Sequence, residues 1–138
     1  MIKSLPIIVQ SIVYKKEEGN FKVLLMKRTE ERGGFWNVVN GTLEINESVV
    51  QCRQRELNEE AGITSVKQWS EEVYRFSFPY KDYTIVVIVY LAEVSPDQKI
   101  ILNEEHTEYK WSTFSEAINL MKFEDDKKAL QAGKAALS

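Results

Sequence analysis

Cysteine is nearly absent from this chain: Cys52 stands alone among 138 residues, so no internal disulfide can form. A chain of this length buries enough apolar surface to fold without such a staple, and a lone thiol fits a reducing interior. Long apolar runs are also missing, and none approaches the roughly 20 residues of a membrane span. The opening Met1-Ile2-Lys3-Ser4-Leu5-Pro6 has no signal-peptide core or cleavage site and leads straight into a strand-like stretch. A cytoplasmic location is the expectation. Nor is there an excess of basic charge: 18 Lys and Arg against 21 Asp and Glu leave a net charge of −3. That speaks against gripping a nucleic-acid polymer, which needs a basic face. It leaves room for a small anionic ligand, because a divalent cation inverts the local field. Repeats, low-complexity tracts and linkers are lacking, so residues 1–138 are expected to form one domain.

What is present alternates between strand and helix signals. Residues 5–14 are rich in β-branched side chains and read as a strand. A charged turn over Lys15–Asn20 and a partner strand over Phe21–Lys27 make a hairpin, and Phe35–Val39 reads as a short aromatic strand. From Ser48 to Ala61 the chain runs without Gly or Pro, with Asn46-Glu47-Ser48 as the entry and Gly62 as the stop of a helix. Strands are predicted over Val73–Phe78 and Tyr83–Glu93. The second is nearly all apolar, as suits a central strand covered on both faces. A loop over Ser95–Thr107, a strand over Tyr109–Ser112 and helices over Ser115–Met121 and Asp125–Ala136 complete the reading. Strands on either side of a central helix, followed by a helical tail, imply a mixed sheet with helices packed on it.

The helix over 48–61 carries an arrangement that helix stability alone does not favour. Glu56, Glu59 and Glu60 stand at i, i+3 and i+4, so three carboxylates leave one side within a turn. They also sit near the helix C-terminus, whose partial negative charge disfavours anions. A hard divalent cation relieves both costs, since Mg²⁺ takes carboxylate oxygens and keeps waters that a phosphate can displace. A Glu-x-x-Glu-Glu read alone is more often a solvated acidic face. Its surroundings decide otherwise. Gly41 is followed after five residues by Glu47, and after seven more by Arg55-Glu56-Leu57-Asn58-Glu59-Glu60-Ala61-Gly62-Ile63. Seven fixed residue types at fixed spacing coincide by chance about once in a hundred million starts.

This pattern over 41–63 resembles the Nudix box, Gly-x5-Glu-x7-Arg-Glu-(apolar)-x-Glu-Glu-x-Gly-(apolar), at every defined position. The resemblance implies an α/β fold, the Nudix α/β/α sandwich. In it a mixed β-sheet has the box helix on one side and the C-terminal helices on the other. It further implies that Glu59 and Glu60 lead a metal site, with Glu56 as a further ligand or as the base that deprotonates water. Arg55 would hold those acids by ion pairing, Glu47 would support the site, and Gly41 would permit close backbone approach, its carbonyl facing a metal. The implied cofactor is Mg²⁺, with Mn²⁺ able to replace it. Two departures precede the box: Val39-Asn40 stands where Pro-Gly is common, and Asn46 where Gly is common. Asn is the best non-Gly residue for a left-handed backbone, so the second change is mild.

Outside the box, residues 35–44 resemble the branch that cleaves dihydroneopterin triphosphate. Glu105-His106-x-x-Tyr109-Lys110-Trp111 resembles both that branch and the diadenosine-tetraphosphate hydrolases. By that comparison Glu105 completes the metal site or serves as base, with Glu104 as its rival. Arg28, ahead of Lys27, is the candidate for substrate phosphate. Phe35 and Trp36 are candidates for stacking a purine or pterin ring, with Trp36 the more buried of the two. His106 is expected to make a structural hydrogen bond and Cys52 to pack as a small buried group. The reaction expected first is hydrolysis of a nucleoside triphosphate or dihydroneopterin triphosphate; dinucleoside polyphosphates rank second and sugar nucleotides such as ADP-ribose third. A non-catalytic nucleotide sensor on the same fold and a plain acidic scaffold are the rivals of other classes. The implied partner is a small nucleoside-diphosphate-type molecule; a homodimer is left open.

Overall fold

The computed structural model describes residues 4–138, and Met1–Lys3, part of the opening stretch expected to carry no leader, lie outside the described residues. Strand β1 (Ser4–Glu17) reverses into β2 (Asn20–Arg28) through Glu18 and Gly19, both with positive φ. That backbone matches the twist of a two-residue hairpin, so the strands run on through what the charges of Lys15–Glu17 suggest is a turn. A single 3₁₀ turn, Glu30–Arg32, leads to the two-residue β3 (Trp36–Asn37) and then to β4 (Val39–Glu44). The predicted strand over 35–39 is therefore two pieces, and most of β4 carries no apolar run to announce it. Helix α1 (Val49–Ala61) follows, then β5 (Gln68–Trp69), β6 (Tyr74–Tyr80), β7 (Tyr83–Glu93), β8 (His106–Ser112), α2 (Phe114–Leu120) and α3 (Glu124–Ala136). β8 begins three residues ahead of its expected start, because His106 bridges to Arg28 across a register shift.

Among the described residues, eight strands form one mixed sheet. β1 and β7 pair in parallel at its centre from Ile7↔Val86 to Tyr14↔Glu93. On its other edge β1 is shared: its first half pairs with β4 (Val9↔Gly41, Gln10↔Asn40) and its last residues with β2 (Tyr14↔Val23). The sheet therefore forks there. Alternation assigns the faces. Val23 and Leu25 join Phe114, Ala117, Ala129 and Leu130 beneath α2 and α3, while Leu24 and Met26 join Leu57 and Ala61 beneath α1. Helices thus cover both faces, the sandwich that the box resemblance implies. Among the described residues no helix is long and apolar enough to cross a membrane.

Candidate active site

Helix α1 is fixed at both ends. Ser48 stands outside it as N-cap, its hydroxyl accepting from Gln51 N–H (3.1 Å) while the Gln51 side chain accepts from Ser48 N–H (2.8 Å). Asn46 ahead of it takes the left-handed backbone expected of it, φ 71°. Gly62 ends the helix at φ 69°, its N–H reaching Asn58 O (3.0 Å). Leu57 and Ala61 anchor the helix to the sheet, and the acids turn toward β4. There Gly41 is indispensable for a steric reason: a Cβ at that position would stand 1.8 Å from Glu56 Cγ and 2.1 Å from Cδ. The Glu56 side chain occupies the space that any other residue would fill.

Arg55 gathers the acids. Its Nε and Nη2 donate to the two oxygens of Glu47 (2.6 and 2.9 Å), and its Nη1 donates to Glu56 Oε1 (2.5 Å) and Glu59 Oε2 (3.3 Å). Nη2 also donates to Thr42 O (3.1 Å), which ties the guanidinium to β4. The Arg55 guanidinium, above all by hydrogen bonding, holds the Glu47 carboxyl down at about 2. Glu60 meets the opposite environment. Burial first, and then Glu56 against it, push its carboxyl well above the ordinary carboxylate range. Among the described residues the acids do not converge into a ready-made cage of three. They form a wall, with Glu59 half-exposed and Glu56 and Glu60 buried. That donor set suits a hard divalent cation: carboxylate oxygens only, two of them pressed together where each alone is poorly solvated.

The wall lines a cleft at the fork of the sheet, together with Arg28, Asn40, Gly41 and Thr42. Glu105 faces the same cleft, its oxygens engaged by Arg32 (3.3 Å) and by Asn103 Nδ2 (3.1 Å). Its rival Glu104 is exposed and outside the lining. Arg28 reaches the cleft and Lys27 does not; Arg28 Nε donates to Arg32 O (2.9 Å). His106 is buried, its Nε2 against Asn37 Oδ1 (3.2 Å), and burial lowers its affinity for a proton. This is the structural role expected of it. Cys52 is fully buried, with its thiol 3.9 Å from Gly41 O and pushed up to about 12, chiefly by burial. A thiol so placed stays protonated and inert.

An aromatic cavity of about 460 Å³ opens from the cleft, sharing Ile8, Arg28 and Asn40 with it. Phe35 lines this cavity and meets Phe123 edge to face, centroids 5.5 Å apart. Trp36 does not line it: its ring packs against the core with Lys110 above it, which corrects its place among the stacking candidates. The partners that sequence reasoning missed are Phe76, Phe78 and Phe123, from β6 and from the residue before α3. No local pattern marks them, since each reads as ordinary core. The exposure of Phe123, 49%, is visible only in the fold. Polar groups stand at the inner end. Gln10, buried on β1, donates to Asn40 Oδ1 (3.0 Å) and to Asp126 Oδ1 (3.2 Å), and burial raises the Asp126 carboxyl above its ordinary value.

The NUDIX domain family matches over residues 6–132. The chain is 37% identical over 101 residues to the bis(5′-nucleosyl)-tetraphosphatase (asymmetrical) of Sus scrofa, covering 71% of this chain and 69% of that protein. It is 33% identical over 124 residues to a Myxococcus xanthus protein named octanoyltransferase, covering 86% of this chain but only 34% of that relative's length. Among solved structures, a C. elegans Ap4A hydrolase in a binary complex superposes at TM-score 0.82 with 23% identity, covering 95% of this chain and 96% of that one. The E. coli dihydroneopterin triphosphate pyrophosphohydrolase superposes at 0.78 with 20% identity and the same coverage. At those identities the two structures speak for the fold alone. The family match does more, because it runs through the glycine, the arginine and the glutamates whose geometry has just been described: this chain belongs to the NUDIX domain family.

Proposed function

We propose that the protein is a Mg²⁺-dependent hydrolase of a phosphoanhydride bond in a nucleoside polyphosphate, with a nucleoside triphosphate or dihydroneopterin triphosphate as the first substrate class. The observation that carries this reading is one juxtaposition. A wall of carboxylates over Gly41 opens directly onto an aromatic cavity through Arg28 and Asn40. An acidic wall alone repels a phosphate chain and an aromatic cavity alone takes any flat ring; together they fit a ring joined to phosphates that arrive with a cation.

Glu59, Glu60 and Glu56 would hold the ion, with Mn²⁺ able to replace Mg²⁺ and a cytoplasmic setting supplying ion and substrate alike. When bound, it supplies charge neutralisation and polarisation of phosphoryl oxygens. The protein's own groups do the rest. Arg55 fixes Glu47, Glu56 and Glu59 in place and so keeps the acids pointed across β4. Arg28 meets phosphate at the mouth of the aromatic cavity, and Phe35 with Phe123 holds the ring. Water attacks phosphorus, the new O–P bond forms as the anhydride P–O bond breaks, and the proton passes to Glu56 or to Glu105 across the cleft. The tetraphosphatase relative supports dinucleoside polyphosphates as the second reading.

A nucleotide panel assayed with Mg²⁺ and with Mn²⁺, products resolved by mass in ¹⁸O water, tests the proposal. Metal-dependent turnover that puts the label on phosphorus is expected. Tight binding of the panel without turnover would instead mark a nucleotide sensor.

A further inference from the structure

The hairpin face that lines the aromatic cavity continues past it. Phe76, Phe78 and Tyr80 are alternate residues of β6, paired with Val87, Ile85 and Tyr83 of β7, so these side chains issue from one face. Phe123 lines that cavity together with Phe76 and Phe78. Among the described residues the stripe is open beyond it, and with the Leu5–Ile8 stretch of β1 it walls a second cavity of about 660 Å³. Tyr80 and Tyr83 stand there edge to face, 5.8 Å apart, 46% and 47% exposed. Ser4, Ile8 and Thr42 line both this cavity and the carboxylate cleft. The acidic cleft therefore meets aromatic walls on two sides, through Asn40 toward the phenylalanines and through Thr42 toward the tyrosines.

We propose that the Tyr80–Tyr83 cavity is a second ring-binding subsite, which lets the site that hydrolyses one-ended nucleoside polyphosphates also hold two-ended ones, with a nucleoside at each end of the phosphate chain. The inference rests on the hydrolase reading above. The cavity has room for a nucleoside, and tyrosine rings offer flat faces with little side-chain entropy to lose. Asp82 at its rim accepts from an exocyclic amine. From Phe76 to Tyr80 the strand advances by four residues, ~13 Å, too far for two directly linked rings and suited to rings separated by phosphates. A substrate with one ring would fill the phenylalanine cavity and leave the tyrosines in water. A second copy of the chain is a poorer occupant, since a stable interface buries about 800 Å² per partner and this concave strip is only a few side chains wide.

The full chain with Mg²⁺ is assayed on diadenosine tetraphosphate and on adenosine 5′-tetraphosphate, which share a phosphate chain and differ by one nucleoside. Tyr80→Ala and Tyr83→Ala should each raise KM for the two-ended substrate about tenfold, the order expected of one lost stacking partner, and leave KM for the one-ended substrate within twofold. Tyr83→Phe should behave as the parent protein. Equal losses on both substrates, or no loss on either, would overturn the subsite. So would a dimer in sedimentation that the alanine variants take apart. Calorimetry with both probes in Ca²⁺ keeps the two proposals separate. A tyrosine-dependent preference for the two-ended probe without turnover in Mg²⁺ would sink the hydrolase reading and leave the subsite standing. Turnover with no such preference would do the reverse.

Discussion

The carboxylate wall and the aromatic cavity touch through three residues, Ile8, Arg28 and Asn40, yet they are built in opposite ways. The wall comes mostly from one turn of one helix and from the strand beneath it. Its members are neighbours in sequence, and a single arginine ties them together. The cavity is assembled from Phe35, Phe76, Phe78 and Phe123, which belong to three separate stretches and meet only when α3 docks on the sheet. The difference teaches where chemistry and where selectivity reside. On the proposed reading, local geometry fixes the reaction and long-range packing fixes what is admitted to it.

That division predicts distinct kinetic signatures. Glu60→Gln or Glu59→Gln should lower kcat by about 10³-fold with little change in KM, because on the proposed reading these side chains would hold the ion that neutralises charge developing at the reacting phosphate. A loss confined to KM would show that the wall only binds. Arg55→Ala should lower kcat/KM by about 10- to 100-fold, the scale seen when the groups that orient metal ligands are removed. Lysine at the same position should recover little of it, since one ammonium cannot bond both oxygens of Glu47 and also reach Glu56. On the other side of the boundary, Phe123→Ala should raise KM about tenfold and leave kcat nearly unchanged, the effect of one lost stacking face. Were Phe123→Ala to lower kcat as much as Arg55→Ala does, the separation of the two regions would be broken.

The same difference explains what could be read without coordinates. Spacing along a helix is rigid, so Glu56, Glu59 and Glu60 on one side follow from i, i+3 and i+4. Gly41 follows from the resemblance, though its reason, a Glu56 side chain lying where its Cβ would be, needs the fold. β4 was not legible, because its sequence is half polar and its pairing with β1 is set by partners far along the chain. Of the two stacking candidates, Trp36 is the one expected to be the more buried, and its ring packs against the core while Phe35 faces the cavity. Alternation allows only one of two adjacent residues to face that side. Phe76 and Phe78 alternate as any core-facing strand residues do, and only the end of α3 decides that part of that face stays open.

Within the wall, the smallest and sharpest contrast is between Glu47 and Glu60. The Glu47 carboxyl is held down to about 2 by Arg55, so its contribution is full above the ordinary carboxylate range and is lost as pH falls toward 2. For Glu60 the sign reverses. Its raised affinity for a proton means the folded state binds that proton more tightly than the unfolded chain does, and stability declines as pH rises above about 4.5. Glutamine cannot ionise, so Glu60→Gln escapes that decline. In EDTA at pH 8 the variant should melt about 2–4 °C above the parent protein, the shift that ~1 kcal/mol gives a domain of this size. In Mg²⁺ the order should invert, because only the parent gains from an ion bound to its folded state. A variant that melts below the parent in EDTA would mean that the buried carboxylate is already compensated by protein groups. Equal gains from Mg²⁺ would remove Glu60 from the ion's ligands.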